Sequence, residues 1–208
     1  MNLAALTKQV RRYLAESGSA QWDDAALQAQ LNRSARTLAG DLSLFRGRTT
    51  LDVVNGSVAV PADLLSIVSV TNPGKRSTLS PVDAGMAASD PLGWGSGLPQ
   101  HYSFDEAWGR TLNVYPAGSL TVQVIYRRAP AAMVDGNDEA WGGAYADHHD
   151  LIALHTAHRL YGGNGAAAAR DPVWLSRFQQ QLEEFKASLA LAALDSPPMQ
   201  IRPPRRRR

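Results

Sequence analysis

The sequence predicts a mainly α fold. It reads as a bundle of about four helices carrying an inserted small β-sheet or barrel-like region and an extended basic C-terminal arm. Three observations predict it. Apolar residues recur at helical spacing in residues 1–48 and 140–195,. Between them, over 49–139, the period falls to two and turn residues punctuate the chain,. Residues 196–208 then hold proline pairs, which cannot propagate a helix, and five arginines without an acid,.

Each element has its own signal. Leu3, Leu6, Val10 and Leu14 form an amphipathic stripe with Asn2 placed to cap it,. Gly18 and Ser19 break that helix, and Asp23 caps a longer one with Leu27, Leu31, Ala35, Leu38, Leu42 and Phe45 on one face,. From Thr49, Leu51 and Val53 alternate with polar residues, Asn55-Gly56 supplies a type I′ turn, and Val58 and Val60 resume the alternation, which predicts a hairpin,. Pro61 ends that strand, and Leu65 to Val70 form another. Residues 84–98 read as a loop rich in Gly, Ala, Ser and Pro. Leu112 and Val114 mark a strand, and Leu120, Val122, Val124 and Tyr126 give the cleanest alternation, for five or six short strands in all,. A third helix is predicted from Ala146 to about Tyr161, stopped by Gly162-Gly163,. Asp171-Pro172 starts a fourth, whose Trp174, Phe178, Leu182, Phe185 and Leu189 recur at helical spacing,.

Composition narrows the function classes. Hydrophobic residues make up 44% of the 208, enough for a core,. No run approaches the roughly 20 apolar residues of a membrane helix, and Lys8, Arg11 and Arg12 on an amphipathic stretch do not read as a signal peptide,. With no cysteine, disulfides, thiolate metal sites and cysteine nucleophiles are excluded,. Residues 1–195 carry 16 Lys/Arg against 19 Asp/Glu, so the basic character resides in the last thirteen positions, 196–208. That disfavours a general nucleic-acid-binding surface on the body and favours a basic arm seeking an acidic partner.

No catalytic set emerges. Four of the five histidines (His148, His149, His155 and His158) fall within eleven residues. On a helix His148 and His155 lie about 20° apart, and His158 about 60° further round. Three ligands for one ion along some 15 Å of helix is unfavourable geometry, so a packed, partly polar helix face is the preferred reading, and a metal-dependent hydrolase on His148, His155 and His158 the lesser one. Gly93-Trp94-Gly95-Ser96-Gly97 precedes no helix and reads as a flexible loop rather than a phosphate cradle,. Asp105-Glu106 and Asp138-Glu139 read as solvated loop acids. Trp174 reads as core, whereas Trp94, Trp108 and Trp141, in loops flanked by small residues, are candidate tail-facing or subunit contacts,. The strongest interaction candidate is the arm. Met199 and Ile201 suit apolar pockets, Pro203-Pro204 pre-extends the backbone, and Arg202, Arg205, Arg206, Arg207 and Arg208 suit carboxylates or phosphates,. A nucleic-acid-binding module using that tail is the alternative,.

Several strings, in their order, resemble the head-to-tail adaptor (connector) proteins of tailed bacteriophages. They are Thr7 to Leu14, Trp22-Asp23, Leu31-Asn32-Arg33-Ser34-Ala35, Val53-Val54-Asn55-Gly56 leading to Val60-Pro61-Ala62-Asp63-Leu64-Leu65, Leu112-Asn113-Val114-Tyr115-Pro116 leading to Val124-Ile125-Tyr126-Arg127-Arg128, and the late helices Tyr145–Tyr161 and Trp174–Leu189. The resemblance covers about residues 3–190. It implies a non-enzymatic virion protein without cofactor or bound metal, made in the host cytoplasm. Such a protein forms a ring, commonly of twelve subunits, between the portal and the tail tube or nozzle, with DNA passing through the channel and no membrane contact. It further implies that residues 196–208 bind the portal and the insert faces the tail.

Overall fold

The computed structural model describes residues 1–14, 22–83, 85, 97–105, 109–162 and 172–195. They form helices α1 (Leu3–Tyr13), α2 (Asp24–Asp41), α3 (Asp150–Gly162) and α4 (Pro172–Asp195). The strands are β1 (Arg46–Val53), β2 (Ser57–Ala59), β3 (Leu64–Asn72), β4 (Ser77–Pro81), β5 (His101–Asp105), β6 (Thr111–Tyr115) and β7 (Leu120–Arg128). All seven join one sheet, ordered β1-β7-β3-β4-β5-β6-β2, which is nearly closed into a barrel. Among the described residues the four helices hold 66 residues and the seven strands 44. The expected mainly α bundle with a minor insert is therefore corrected: helix and barrel are comparable partners. The strand content was underestimated because β4 carries a single buried apolar residue, Leu79. Its other positions are exposed, so no alternation marks it.

The chain divides into two compact units, residues 1–34 with 133–208 and residues 35–132. In the first, α1 packs on α3 and α3 on α4. Asn2 caps α1 by accepting from Ala5 N–H at 3.0 Å, and Asp23 accepts from Ala26 N–H at the start of α2, as their positions predicted. Arg11 reaches from α1 to the Trp22 carbonyl at 2.9 Å and to Asp24 at 2.7 Å. Tyr13 donates to Asp150 at 2.9 Å, and Arg177 lies 3.5 Å from the same carboxylate, which links α1, α3 and α4. The predicted third helix begins late, at Asp150, after two short 3-10 turns, Ala140–Gly143 and Ala146–His148. Tyr145 has φ +56°, a left-handed backbone that interrupts any earlier helix,.

The segment after Met133 is held from two sides. Asn32 of α2 donates to the Met133 carbonyl at 2.9 Å and accepts from the Met133 N–H at 2.8 Å. Gln28, one turn earlier, donates to the Met133 and Val134 carbonyls at 3.0 Å. On the other side, Leu3 N–H donates to Asp138 and Ala4 N–H to Gly136, using free donors at the start of α1,. Asp138 folds the loop by accepting from Val134 and Asp135 N–H. These backbone donors, Asp135 first, hold its carboxyl below the usual carboxylate value,.

In the second unit β7 is central, flanked by β1 and β3. Val122, Val124 and Tyr126 point inward to meet Val53, Leu64, Val70, Leu79, Leu112 and Val114. A Cβ at Gly47 would overlap the Tyr126 ring opposite it. Asn55 and Gly56 both have positive φ, +52° and +85°, as their turn signal predicted. The expected hairpin ladder does not follow. β1 and β2 share only the bridge Val54↔Ser57, and β2 pairs with β6 instead. The turn is tied to the β6 side as well, because Gly56 N–H donates to Gly118 at 3.0 Å and its carbonyl accepts from Val114 at 2.8 Å.

Asn32→Ala strands the Met133 N–H and removes a partner of its carbonyl. It should lower stability by about 1–3 kcal/mol for each polar group left unpaired. Urea unfolding checks this, and a midpoint equal to the parent's would contradict the clamp.

Candidate interaction surfaces

The sequence-predicted contact residues separate in the structure. The arm residues Met199, Ile201, Arg202, Pro203, Pro204 and Arg205 to Arg208 lie outside the described residues, as do Trp94, Trp108 and the side chain of Trp174. Trp141 is described, and its assignment as an exposed contact is corrected. It is 4% exposed and stacks on Phe185 with ring centroids 6.1 Å apart. It also makes edge contacts with Tyr145 and His149. The left-handed backbone at Trp141 and Gly142 turns the indole into the first unit, which small neighbours alone did not signal.

The histidines of this region pack against aromatic rings. His148 stacks on Phe185 at 4.1 Å, and His155 and His158 lie 5.7 and 6.4 Å from Phe178. Their stripe faces α4. Among the described residues no three His, Asp or Glu side chains group to hold a metal ion. His149 is the buried one. Its Nε2 lies 2.7 Å from the Ala144 carbonyl and therefore carries the proton, leaving Nδ1 as acceptor toward the Met1 nitrogen at 2.5 Å,. Burial holds its pKa below the usual imidazole value, against the opposing pull of the Ala144 carbonyl,.

Sequence reasoning missed the exposed surface of the second unit. At one end of the sheet three segments meet. Asn55 N–H donates to Ser119 Oγ at 3.3 Å, Gly118 sits against Pro99, and Gln100 N–H donates to Tyr115 at 2.9 Å. This end exposes Val54 and Leu98, at 61% and 59%. Large apolar side chains at turn tips suit a contact surface. On the strand faces, Arg46, Arg48 and Arg127 are exposed. Their alternation with Gly47, Thr49 and Tyr126 is visible in the sequence but carries no apolar marker. No described helix is long and apolar enough to cross a membrane.

Burial sets the folded pKa of His149 below its unfolded one, so protonation favours unfolding. Its contribution is complete above the unfolded value of about 6.5 and is lost as pH falls toward the depressed folded value. Stability of the parent should therefore fall as pH drops below about 6.5, and His149→Gln should flatten that slope. Thermal unfolding across pH measures it, and identical slopes would contradict the assignment.

Among curated proteins no match to the chain is found. Residues 1–204 match the family model described as SU10 adaptor protein. That span takes in both units, the Asn32 clamp and the Asn55-Gly56 turn that joins β1 to β2. With nearly every position matched, the chain belongs to the SU10 adaptor protein family of bacteriophage structural adaptors.

Proposed function

We propose that this chain is a head-to-tail adaptor that assembles as a ring, joins the portal to the tail tube or nozzle, and lets DNA pass through its channel. The observation that carries the reading is the family match over residues 1–204. Residues 196–208 act as the portal-binding arm. Met199 and Ile201 seat in apolar pockets, and Arg202 and Arg205 to Arg208 meet carboxylates,. Repeated copies of the arm in a ring add avidity that one copy lacks.

The β unit faces the tail. The end that exposes Val54 and Leu98 supports this, because exposed apolar tips on a rigid sheet bury readily against a partner. The acidic balance of residues 1–195 suits a channel that must not grip DNA, since retention needs phosphate contacts. A ring of about twelve copies requires a heterologous subunit contact, and the small residues Ala187, Ala190 and Ala192 on α4 permit close approach of neighbouring helices. Membership in a family of structural adaptors supports a structural rather than a catalytic role.

Sedimentation of the purified chain with its portal tests the proposal. Association is expected. Removal of residues 196–208 should leave the circular dichroism spectrum unchanged and weaken co-sedimentation by at least about tenfold, equivalent to about 1.4 kcal/mol. A parent chain that ignores the portal would refute the adaptor reading, and a truncated chain that binds fully would refute the arm.

A further inference from the structure

The two ends of the sheet order are β1 and β2, and the barrel is closed between them by one bridge, Val54↔Ser57. From that bridge back to Arg46, β1 has β7 on one side and no strand on the other among the described residues. The free edge is eight residues long and contains neither proline nor a bulge. β2 is only three residues long and cannot cover it. Strand edges of this length are normally shortened, bulged or covered, because their unpaired N–H and C=O groups accept another strand.

The outward face beside this edge is basic. Arg46 stands directly opposite Arg127, and Arg48 follows two residues along β1 on the same side,. All three are exposed. Arg48 donates to the Gln123 side chain at 2.6 Å. Among the described residues Arg128 is the neighbour paired with an acid, Asp63 at 4.0 Å, and Asp52, toward the bridge, accepts from Thr121 at 2.7 Å. Like charges directly opposite on adjacent strands destabilise the pair. Charged side chains on an edge strand also guard against aggregation, which would account for Arg46 and Arg48. It does not account for Arg127, which lies on the central strand β7.

We propose that the free edge of β1 is a docking strip for an extended acidic segment of another protein chain. That segment adds beside β1 as a further strand and fills the open seam toward β2. Its main chain answers the unpaired backbone groups, and its alternate carboxylates lie over Arg46, Arg48 and Arg127, a strand-addition mode in which backbone pairing gives affinity and alternate side chains give specificity. The free ladder favours a peptide over nucleic acid, because a phosphate backbone can meet the arginines but cannot match alternating N–H and C=O groups.

The test uses the full chain and three labelled probes: a peptide alternating Glu and Thr, a peptide of the same charge interrupted by proline, and duplex DNA. Fluorescence anisotropy reads binding, and hydrogen exchange reads the backbone amides of residues 46–52. The alternating peptide should bind and slow exchange in β1. The double variant Arg46→Glu with Arg127→Glu should bind it about tenfold more weakly or worse. If that variant does not fold, Arg46→Gln with Arg127→Gln is expected to show the same direction of loss. Equal binding of the proline-interrupted peptide, preferred binding of DNA, or binding with no slowing of β1 exchange would each overturn the proposal.

Discussion

The first unit depends on the capture of Met133 by Asn32. The chain leaves this unit after Ser34 and returns to it at Met133, so the unit is built from two segments far apart in sequence. Joining groups 101 residues apart costs on the order of 4 kcal/mol in chain entropy. The Asn32 and Gln28 bonds to the Met133 and Val134 backbone, each worth about 1 kcal/mol, offset part of that,. Burial of Leu6, Leu27, Leu31 and Met133 supplies the rest,. The same segment then satisfies the first N–H groups of α1 through Gly136 and Asp138. One short stretch of chain therefore closes the start of α1 and anchors on the body of α2.

A second constraint shapes the sheet. Asn55-Gly56 makes the tight turn its dihedrals allow, yet Gly56 spends its backbone bonds on Val114 and Gly118 rather than on a β1–β2 ladder. β2 pairs with β6, and among the described residues β1 pairs with β7 alone. A local rule sets the turn, and long-range pairing decides what the turn connects. The near-closed barrel and its open seam both follow from that competition.

Much of this was legible in residues, and the gaps have physical causes. The caps at Asn2 and Asp23, the helix start at Pro172 and the left-handed pair at Asn55-Gly56 are local effects, and each was readable. Non-local effects were not. β4 holds its place through β3 and β5, with only Leu79 buried. Trp141 is carried inward by a positive φ that no glycine rule requires of tryptophan,. The histidine stripe was readable as a packed face, but its aromatic partners, Phe178 and Phe185, belong to another helix. The family was legible because it rests on the order of many weak strings, which a misplaced strand or two does not erase.

The family membership points to a structural role in virion assembly. Imaging the chain bound to its portal by cryo-electron microscopy tests that role most directly. The account predicts a ring beneath the portal with residues 196–208 ordered against the portal surface. A monodisperse chain that stays apart from the portal would contradict it.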